Sequence, residues 1–368
     1  MLAVLSGGGT AGHINPALAL AETLQDRHCD VCFAGTPQGV EERLVKLAGI
    51  PFQPFEAAGF DRHAPLTLIT SSLKIARSAQ RAREWMKQIK PSVVVGFGGY
   101  VSIPVGMAAE RLGIPVVVHE QNSVMGMANK FLAKRAQAVA LTYDVAAEGL
   151  SCRGEITVTG NPVRRSILSA TREEGRAMLG IPEDATMLLV FGGSLGARHI
   201  NQAITALKDR LLMVEGLHIV HITGPKEYDI ALANLALNEE EQKRWHVMSY
   251  QDRMAETLAA ADCVISRAGA TSLAEISALR LPALLVPFPY ATADHQTVNA
   301  RAYVAAGAAY MLPDNDLDSD EFVDKVMALV CDASVRDAMR QAAAKFKTED
   351  AAAALADVVC RFACVEKP

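Results

Sequence analysis

One local pattern is written into this chain twice, and few folds accommodate it. Residues 2–24, LAVLSGGGTAGHINPALALAETL, and residues 187–207, MLLVFGGSLGARHINQAITAL, each read as a short apolar strand, a glycine turn and a helix. Gly7-Gly8-Gly9 leads to His13-Ile14-Asn15, and Gly192-Gly193-Ser194 leads to His199-Ile200-Asn201. Strands that are apolar on both faces belong to parallel sheets covered by helices on each side, because only there is neither face wet. Their alternation with helices predicts an α/β protein, and the internal echo predicts two similar doubly wound domains. At 368 residues the chain is long enough for two such domains with full cores.

The polar residues of the pattern collect where strands end, which is where open α/β sheets bind ligands. Residues 263–300 read as the strand Cys263–Ile265, a turn at Gly269 and a helix opened by Thr271 or Ser272, with Leu273, Ile276 and Leu279 on its apolar side. A second strand, Pro282–Pro287, runs into a loop holding Asp294, His295, Gln296 and Asn299. A helix N-terminus at such an edge offers N–H groups and positive dipole charge to a phosphate. Ser272 and Glu275 also fit a capping box, which would leave the glutamate satisfying backbone donors alone. The second polar loop alongside favours a ligand site. In the first half, Val93–Val95 ends in Gly96-Phe97-Gly98-Gly99-Tyr100, and Val116–Val118 ends in His119-Glu120-Gln121-Asn122. His119 is assigned to a buried hydrogen-bond network and Asn122, further out, to a ligand. His13, after the first glycine turn, is placed for a general base or a phosphate contact. Gly160-Asn161-Pro162 is the expected hinge, with Arg164 behind it in reach of a diphosphate. The strand end at Tyr250 and Gln251 can read a planar base through its backbone.

Several classes are disfavoured. Gly7 to Gly12 satisfies the dinucleotide fingerprint G-x-G-x-x-G, but the acid that should end the second strand is missing, since Asp30 lies at that strand's start. Neither glycine turn ends in the Gly-Lys-Ser/Thr of an ATPase loop. A net charge of −5 gives no general pull toward nucleic acid. Half of the residues are hydrophobic, yet Gly, Pro and charges interrupt every run before it reaches a membrane-spanning length. Met1 leads directly into the strand Leu2–Leu5, so a cytosolic protein without a signal peptide is expected. The seven cysteines suit reduced thiols there; Cys29 and Cys32 on a strand, and Cys360 and Cys364 on a late helix, read as small hydrophobes. His218 and His221 fall on opposite faces of a strand and do not share a metal easily. Residues 66–91 form a helix with Lys74, Arg77, Arg81, Arg83, Lys87 and Lys90 against the single acid Glu84. One face of it packs on the sheet, and a basic, partly apolar surface of this kind also suits anionic lipid. Ser319 caps a tail helix, and Ala351–Cys364 is expected to pack back on the first domain.

Seven runs taken in order, GGGTAGHINPALALAETL, GFGGYVSIP, HEQNSVMGMANK, GNPVR, GGSLGARHIN, SRAGATSLAEI and DHQTVNA, resemble the MurG family of peptidoglycan N-acetylglucosaminyltransferases over essentially the whole chain. The resemblance implies the GT-B arrangement, α/β, with two Rossmann-like doubly wound parallel-sheet domains facing a central cleft. Residues 1–162 would form the acceptor and membrane-docking domain, with a C-terminal helix at about 346–364 packing back on it, and residues 163–345 the UDP-GlcNAc domain. The implied reaction moves GlcNAc, with inversion, from UDP-GlcNAc to the C4 hydroxyl of MurNAc in undecaprenyl-pyrophosphoryl-MurNAc-pentapeptide. That step turns lipid I into lipid II in peptidoglycan synthesis, and so serves cell-wall biogenesis, cell shape and division. Carried over by position, the donor contacts are Thr10, Ala11, Gly12, Asn122, Arg164, Ser194, Gln251 through its backbone, Ala270, Thr271, Ser272, Leu273, Ala274, Glu275 and Gln296. Glu275 would hold the ribose hydroxyls, and His13 matches the family histidine discussed as catalytic base. Ala11 stands where many relatives carry glycine, and His295 where some carry a second glutamine. No cofactor is expected, and no essential divalent ion either, on the reading that the chain lacks an Asp-x-Asp motif. The implied partners are UDP-GlcNAc, lipid I, the anionic inner face of the cytoplasmic membrane, bound peripherally, and cell-wall and division proteins. A UDP-GlcNAc 2-epimerase, a dehydrogenase and a non-catalytic sugar-nucleotide binder are the alternatives.

Overall fold

The computed structural model describes residues 1–37, 40–56, 66–193, 195–346 and 351–364, with the backbone alone at 40 and 66–72. The chain divides into two compact units, one of residues 1–164 and 348–368, the other of residues 165–347.

The first unit is built on β1 (Leu2–Ser6), β2 (Asp30–Gly35), β3 (Phe52–Pro54), β4 (Val93–Gly96), β5 (Val116–Glu120), β6 (Ala138–Leu141) and β7 (Glu155–Val158). They form one parallel sheet in the order β3-β2-β1-β4-β5-β6-β7, with Ser6 paired to Gly96 at the ends of the two central strands. Crossovers leave β1 in one direction and β4 in the other, so a crevice must open between their carboxyl ends. Both faces are dry. On one, Ile14, Leu18 and Leu24 of the helix Ala11–Asp26 pack with Leu355, Val358 and Val359 of the helix Ala351–Ala363. On the other, Ala82 and Met86 of the helix Leu66–Ile89 meet Val105 and Ala108 of the helix Ser102–Arg111. Ile75, Ala79, Ala82 and Met86 are buried at helical spacing while Lys74, Arg77, Arg81 and Lys87 are exposed, so one stripe packs and the other is solvated.

The second unit repeats the plan with β8 (Thr186–Phe191), β9 (Leu217–Ile222), β10 (Trp245–Met248), β11 (Cys263–Ser266), β12 (Ala283–Leu285) and β13 (Ala309–Met311), in the order β10-β9-β8-β11-β12-β13. Its switch point lies between β8 and β11. At the opposite edge Asp262 joins the two strands: it accepts from Met187 N at 2.7 Å, from Arg176 at 2.6 Å and from Arg172 at 3.0 Å. Ser319 caps the helix Asp320–Cys331 through Phe322 N.

Three local expectations need correction. His119 and Glu120 belong to β5 itself rather than to the loop after it. His295, Gln296 and Asn299 sit on the helix His295–Ala305, reached through a turn in which Ala293 and Asp294 both have positive φ. The strand expected at Pro282–Pro287 shortens to Ala283–Leu285, since the flanking prolines have no N–H for a ladder.

Among the described residues, two histidines are fully buried. His119 donates through Nε2 to Gly160 O (3.0 Å) and accepts at Nδ1 from Gln121 Nε2 (3.1 Å). His221 donates through Nε2 to Asn201 Oδ1 (3.0 Å). Burial pulls both imidazoles down to about 4 from an ordinary 6.5. The folded chain therefore keeps them neutral where the unfolded chain binds protons, and stability declines as pH falls from 6.5 toward 4. Each shift corresponds to roughly 3 kcal/mol. Thermal melts should show the transition falling between about pH 6.5 and 5, above the range in which ordinary carboxylates titrate. His221→Gln should flatten that slope, and a transition level across the window would refute the assignment.

Candidate functional site

In the first unit two glycine turns meet backbone to backbone. A Cβ on Gly99 (φ +78°) would lie 2.5 Å from Gly8 O, so no side chain fits there. Ser102 Oγ lies 2.8 Å from Gly98 O and 3.0 Å from Ser6 O, holding the second turn to the end of β1. The helix Ala11–Asp26 starts from this junction. Thr10 is its N-cap but makes no side-chain cap bond, and the first turn has no acid, so no carboxylate there offsets the positive helix end. His13 Nδ1 lies 2.8 Å from Gly8 O, and a carbonyl can only accept. The ring's proton is thus on Nδ1, which leaves the lone pair of the neutral imidazole on Nε2. Nε2 lies 3.1 Å from where a Cβ on Gly98 (φ +103°) would stand, so glycine at 98 makes room for this ring.

The polar cluster at the end of β5 is organised by Glu120. This buried carboxylate accepts from Asn122 N (3.1 Å) and Asn122 Nδ2 (3.2 Å) on one oxygen, and from Gly126 N and Asn129 Nδ2 (both 2.9 Å) on the other. Asn122 is half-buried and oriented by this carboxylate. Arg164 is half-buried too, and its Nε donates to Glu22 Oε1 of the helix Ala11–Asp26 at 3.3 Å.

In the second unit the helix expected to open at Thr271 or Ser272 opens one residue or more earlier. It spans Ala270–Ala278, with Gly269 as an N-cap that has no side chain to offer. Glu275 therefore falls in the second turn, too far along for a capping box, which pairs the cap with the third helical residue. It is 8% exposed. Thr271 and Ser272 are half-exposed, while Ala270, Leu273 and Ala274 are buried. Gln251 turns its side chain onto its own loop, its Oε1 accepting from Arg253 N at 3.0 Å. Gln296 Oε1 accepts from Phe288 N at 2.9 Å. Ser194 lies outside the described residues. The second unit thus brings together Ala270–Glu275 and Gln296, on the helices that follow β11 and β12. Thr10, Ala11, Gly12, His13, Asn122 and Arg164 belong to the first unit.

Sequence reading missed the charged groups beneath these turns. Arg267 pairs with Asp314, and Asp314 Oδ2 also accepts from His199 Nδ1 at 2.8 Å. Burial pushes the Asp314 carboxyl up, but the His199 hydrogen bond and the Arg267 guanidinium outweigh it and hold the group below the usual carboxylate range. The available signals were an arginine just ahead of the Ala268-Gly269 turn and an acid run from Asp314 to Asp320. That run contains the spacing Asp-x-Asp three times, at Asp314-Asn315-Asp316, Asp316-Leu317-Asp318 and Asp318-Ser319-Asp320, so metal independence cannot be argued from the lack of such a motif. Among the described residues no three His, Cys, Asp or Glu side chains converge as metal ligands, and no helix is long and apolar enough to cross a membrane.

Two Rossmann-like units of this strand order define a two-domain α/β glycosyltransferase of the GT-B class. Residues 3–141 match the glycosyltransferase family 28 N-terminal domain, and residues 187–355 its C-terminal domain. Among curated relatives, the UDP-N-acetylglucosamine--N-acetylmuramyl-(pentapeptide) pyrophosphoryl-undecaprenol N-acetylglucosamine transferase of Halothermothrix orenii is 42% identical over 90% of this chain and 91% of the relative. The enzyme of the same name from Desulforudis audaxviator is 39% identical over 99% of both. The crystal structure of Acinetobacter baumannii MurG superposes with a TM-score of 0.73 at 30% identity, covering 98% of this chain and 99% of that one. The chain belongs to glycosyltransferase family 28 and, within it, to the MurG family.

The meeting of Gly8 and Gly99 yields a direct test. Gly99→Ala forces a Cβ into a carbonyl at a left-handed φ, at a cost of about 1–3 kcal/mol. The melting transition should drop by roughly 2–4 °C per kcal/mol. Gly113→Ala also has positive φ but an open surround, so it should lose only the smaller backbone term. Equal losses for both would refute the close-approach argument.

Proposed function

We propose that this chain is an inverting N-acetylglucosaminyltransferase that moves GlcNAc from UDP-GlcNAc to the C4 hydroxyl of the MurNAc in undecaprenyl-pyrophosphoryl-MurNAc-pentapeptide. The observation that carries the reading is the His13 ring, with Nδ1 committed to Gly8 O and the lone pair on Nε2, at an uncapped helix N-terminus. A neutral imidazole so oriented can take the proton of an attacking hydroxyl. Backbone N–H groups at the start of the helix Ala270–Ala278 receive the diphosphate, whose charge grows as the anomeric C–O bond breaks, and stabilise it most in the transition state. Arg164 adds a cation by exchanging Glu22 for phosphate. Thr10, Ala11, Gly12, Asn122, Ser194, Gln251 and Gln296 complete the donor contacts, and Glu275 holds the ribose hydroxyls. The family's naming and two-domain coverage support the assignment of substrates.

The lipid-borne acceptor implies work at a membrane surface, which we assign as peripheral, on the cytoplasmic face. Leu73, Met127 and Phe131 are exposed beside Lys74, Arg77, Lys130 and Lys134, and Ile75 and Ala128 beneath them share one small core cluster. Apolar residues among cations suit anionic lipid. Cell-wall and division proteins are further proposed partners.

Radiolabelled UDP-GlcNAc with a short-chain lipid I analogue should give a β-linked disaccharide. His13→Ala should cut turnover by about 10²–10⁴-fold while UDP-GlcNAc still binds. A near-normal rate would remove His13 as base, and release of a free 2-epimer without acceptor would replace the transferase reading altogether. EDTA should leave turnover intact; loss restored by magnesium would overturn the metal-free account.

A further inference from the structure

The helix Arg198–Ala206, which follows the glycine turn after β8, begins with a residue of the wrong sign for its end. Arg198 occupies the first position, where the helix dipole disfavours a cation, and His199 the second. Both are drawn aside by carboxylates. Arg198 meets Glu227, on the turn after β9, through Nε at 3.0 and 3.1 Å and Nη2 at 2.8 Å. His199 Nδ1 meets Asp314, on the turn after β13, at 2.8 Å. The first turn of the helix is thus held from both sides.

Asp314 does a second thing. It pairs with Arg267, two residues ahead of the Gly269 cap, and Arg267 Nη1 also donates to Val286 O (3.3 Å) and Pro287 O (3.2 Å) beyond β12. The guanidinium stands 5.6 Å from the centre of the Phe288 ring, and Phe288 N is the donor that fixes Gln296. The Arg267 and Asp314 side chains are only 12% and 11% exposed. Burying such a pair brings little or no net stability compared with apolar residues of similar shape, so its use here points to position rather than strength.

We propose that Asp314, through His199 and Arg267, is a positioning residue that sets the spacing between the start of the helix after β11, where the donor diphosphate is held, and the start of the helix after β8, whose glycine turn carries the donor contact Ser194. This rests on the donor reading above. The cluster reaches both helix starts and Gln296, and no residue assigned to the base.

The test compares ligands with and without phosphates. Calorimetric titration of the full chain with UDP and with uridine separates the two parts of the site. Asp314→Asn keeps an oxygen for His199 but removes the charge that Arg267 faces; it should weaken UDP about tenfold and leave uridine within about twofold. The KM for UDP-GlcNAc should rise while that for the lipid acceptor holds. A parallel loss of UDP and uridine, or no loss of either, would overturn the proposal. If Asp314→Asn does not fold, His199→Phe, which keeps the ring shape without the N–H, carries the same comparison with the same two outcomes. A wild-type chain that binds no UDP would sink the donor reading itself, and this proposal with it.

Discussion

The turns that end β1 and β4 touch through their backbones, Gly99 against Gly8, with no space for a side chain between them. The same construction recurs in the second unit with different partners: a Cβ on Gly196 would lie 2.0 Å from Thr223 O, so the turn after β8 packs on the turn after β9. A parallel sheet delivers strand ends to one edge, but it does not decide what stands there. Glycine does, by letting main chain approach main chain and leaving amides, rather than side chains, as the surface offered to a ligand. The helices that follow need ends without competing caps, and both Thr10 and Gly269 are N-caps that make no side-chain cap bond.

A site made of backbone is rigid only if what lies beneath it is rigid. Each unit meets that need with a carboxylate largely shielded from water. In the first, Glu120 gathers four N–H donors, from Asn122, Gly126 and Asn129, and so fixes the loop through Asn122 and Gly126. In the second, Asp314 gathers a histidine and an arginine from two different strand ends. The contrast follows from reach. Donors within ten residues of Glu120 along the chain can satisfy it, whereas Asp314 is reached by side chains from two other strand ends.

The fold was largely legible because its signal is local and repeated: apolar strand, glycine turn, helix, with the same His-Ile-Asn after both turns. Residues at strand ends were legible for the same reason, since topology alone brings Thr10, His13, Ala270 and Gln296 to the carboxyl edge of their own sheets. Boundaries were less so. Thr271 and Ser272 look like caps by residue type, yet the helix begins at Ala270 from Gly269, where a residue without a side chain leaves the N-terminus open. His119 and Glu120 look like loop residues by polarity, yet they continue β5, because hydrogen-bond partners inside the fold satisfy them as water would outside.

The pairings that span the sheet could not be read at all. Asp314 and His199 are far apart in sequence, and nothing in either local run names the other. An acid-rich stretch such as Asp314 to Asp320 is by composition a solvated loop, and only Asp314 of it is drawn under the turns. Its companion Asp318 is 86% exposed and lies 3.6 Å from the other nitrogen of the same imidazole. One residue type at two nearby positions thus does two jobs, set by burial: the buried acid orders the histidine, while the exposed one is screened by water.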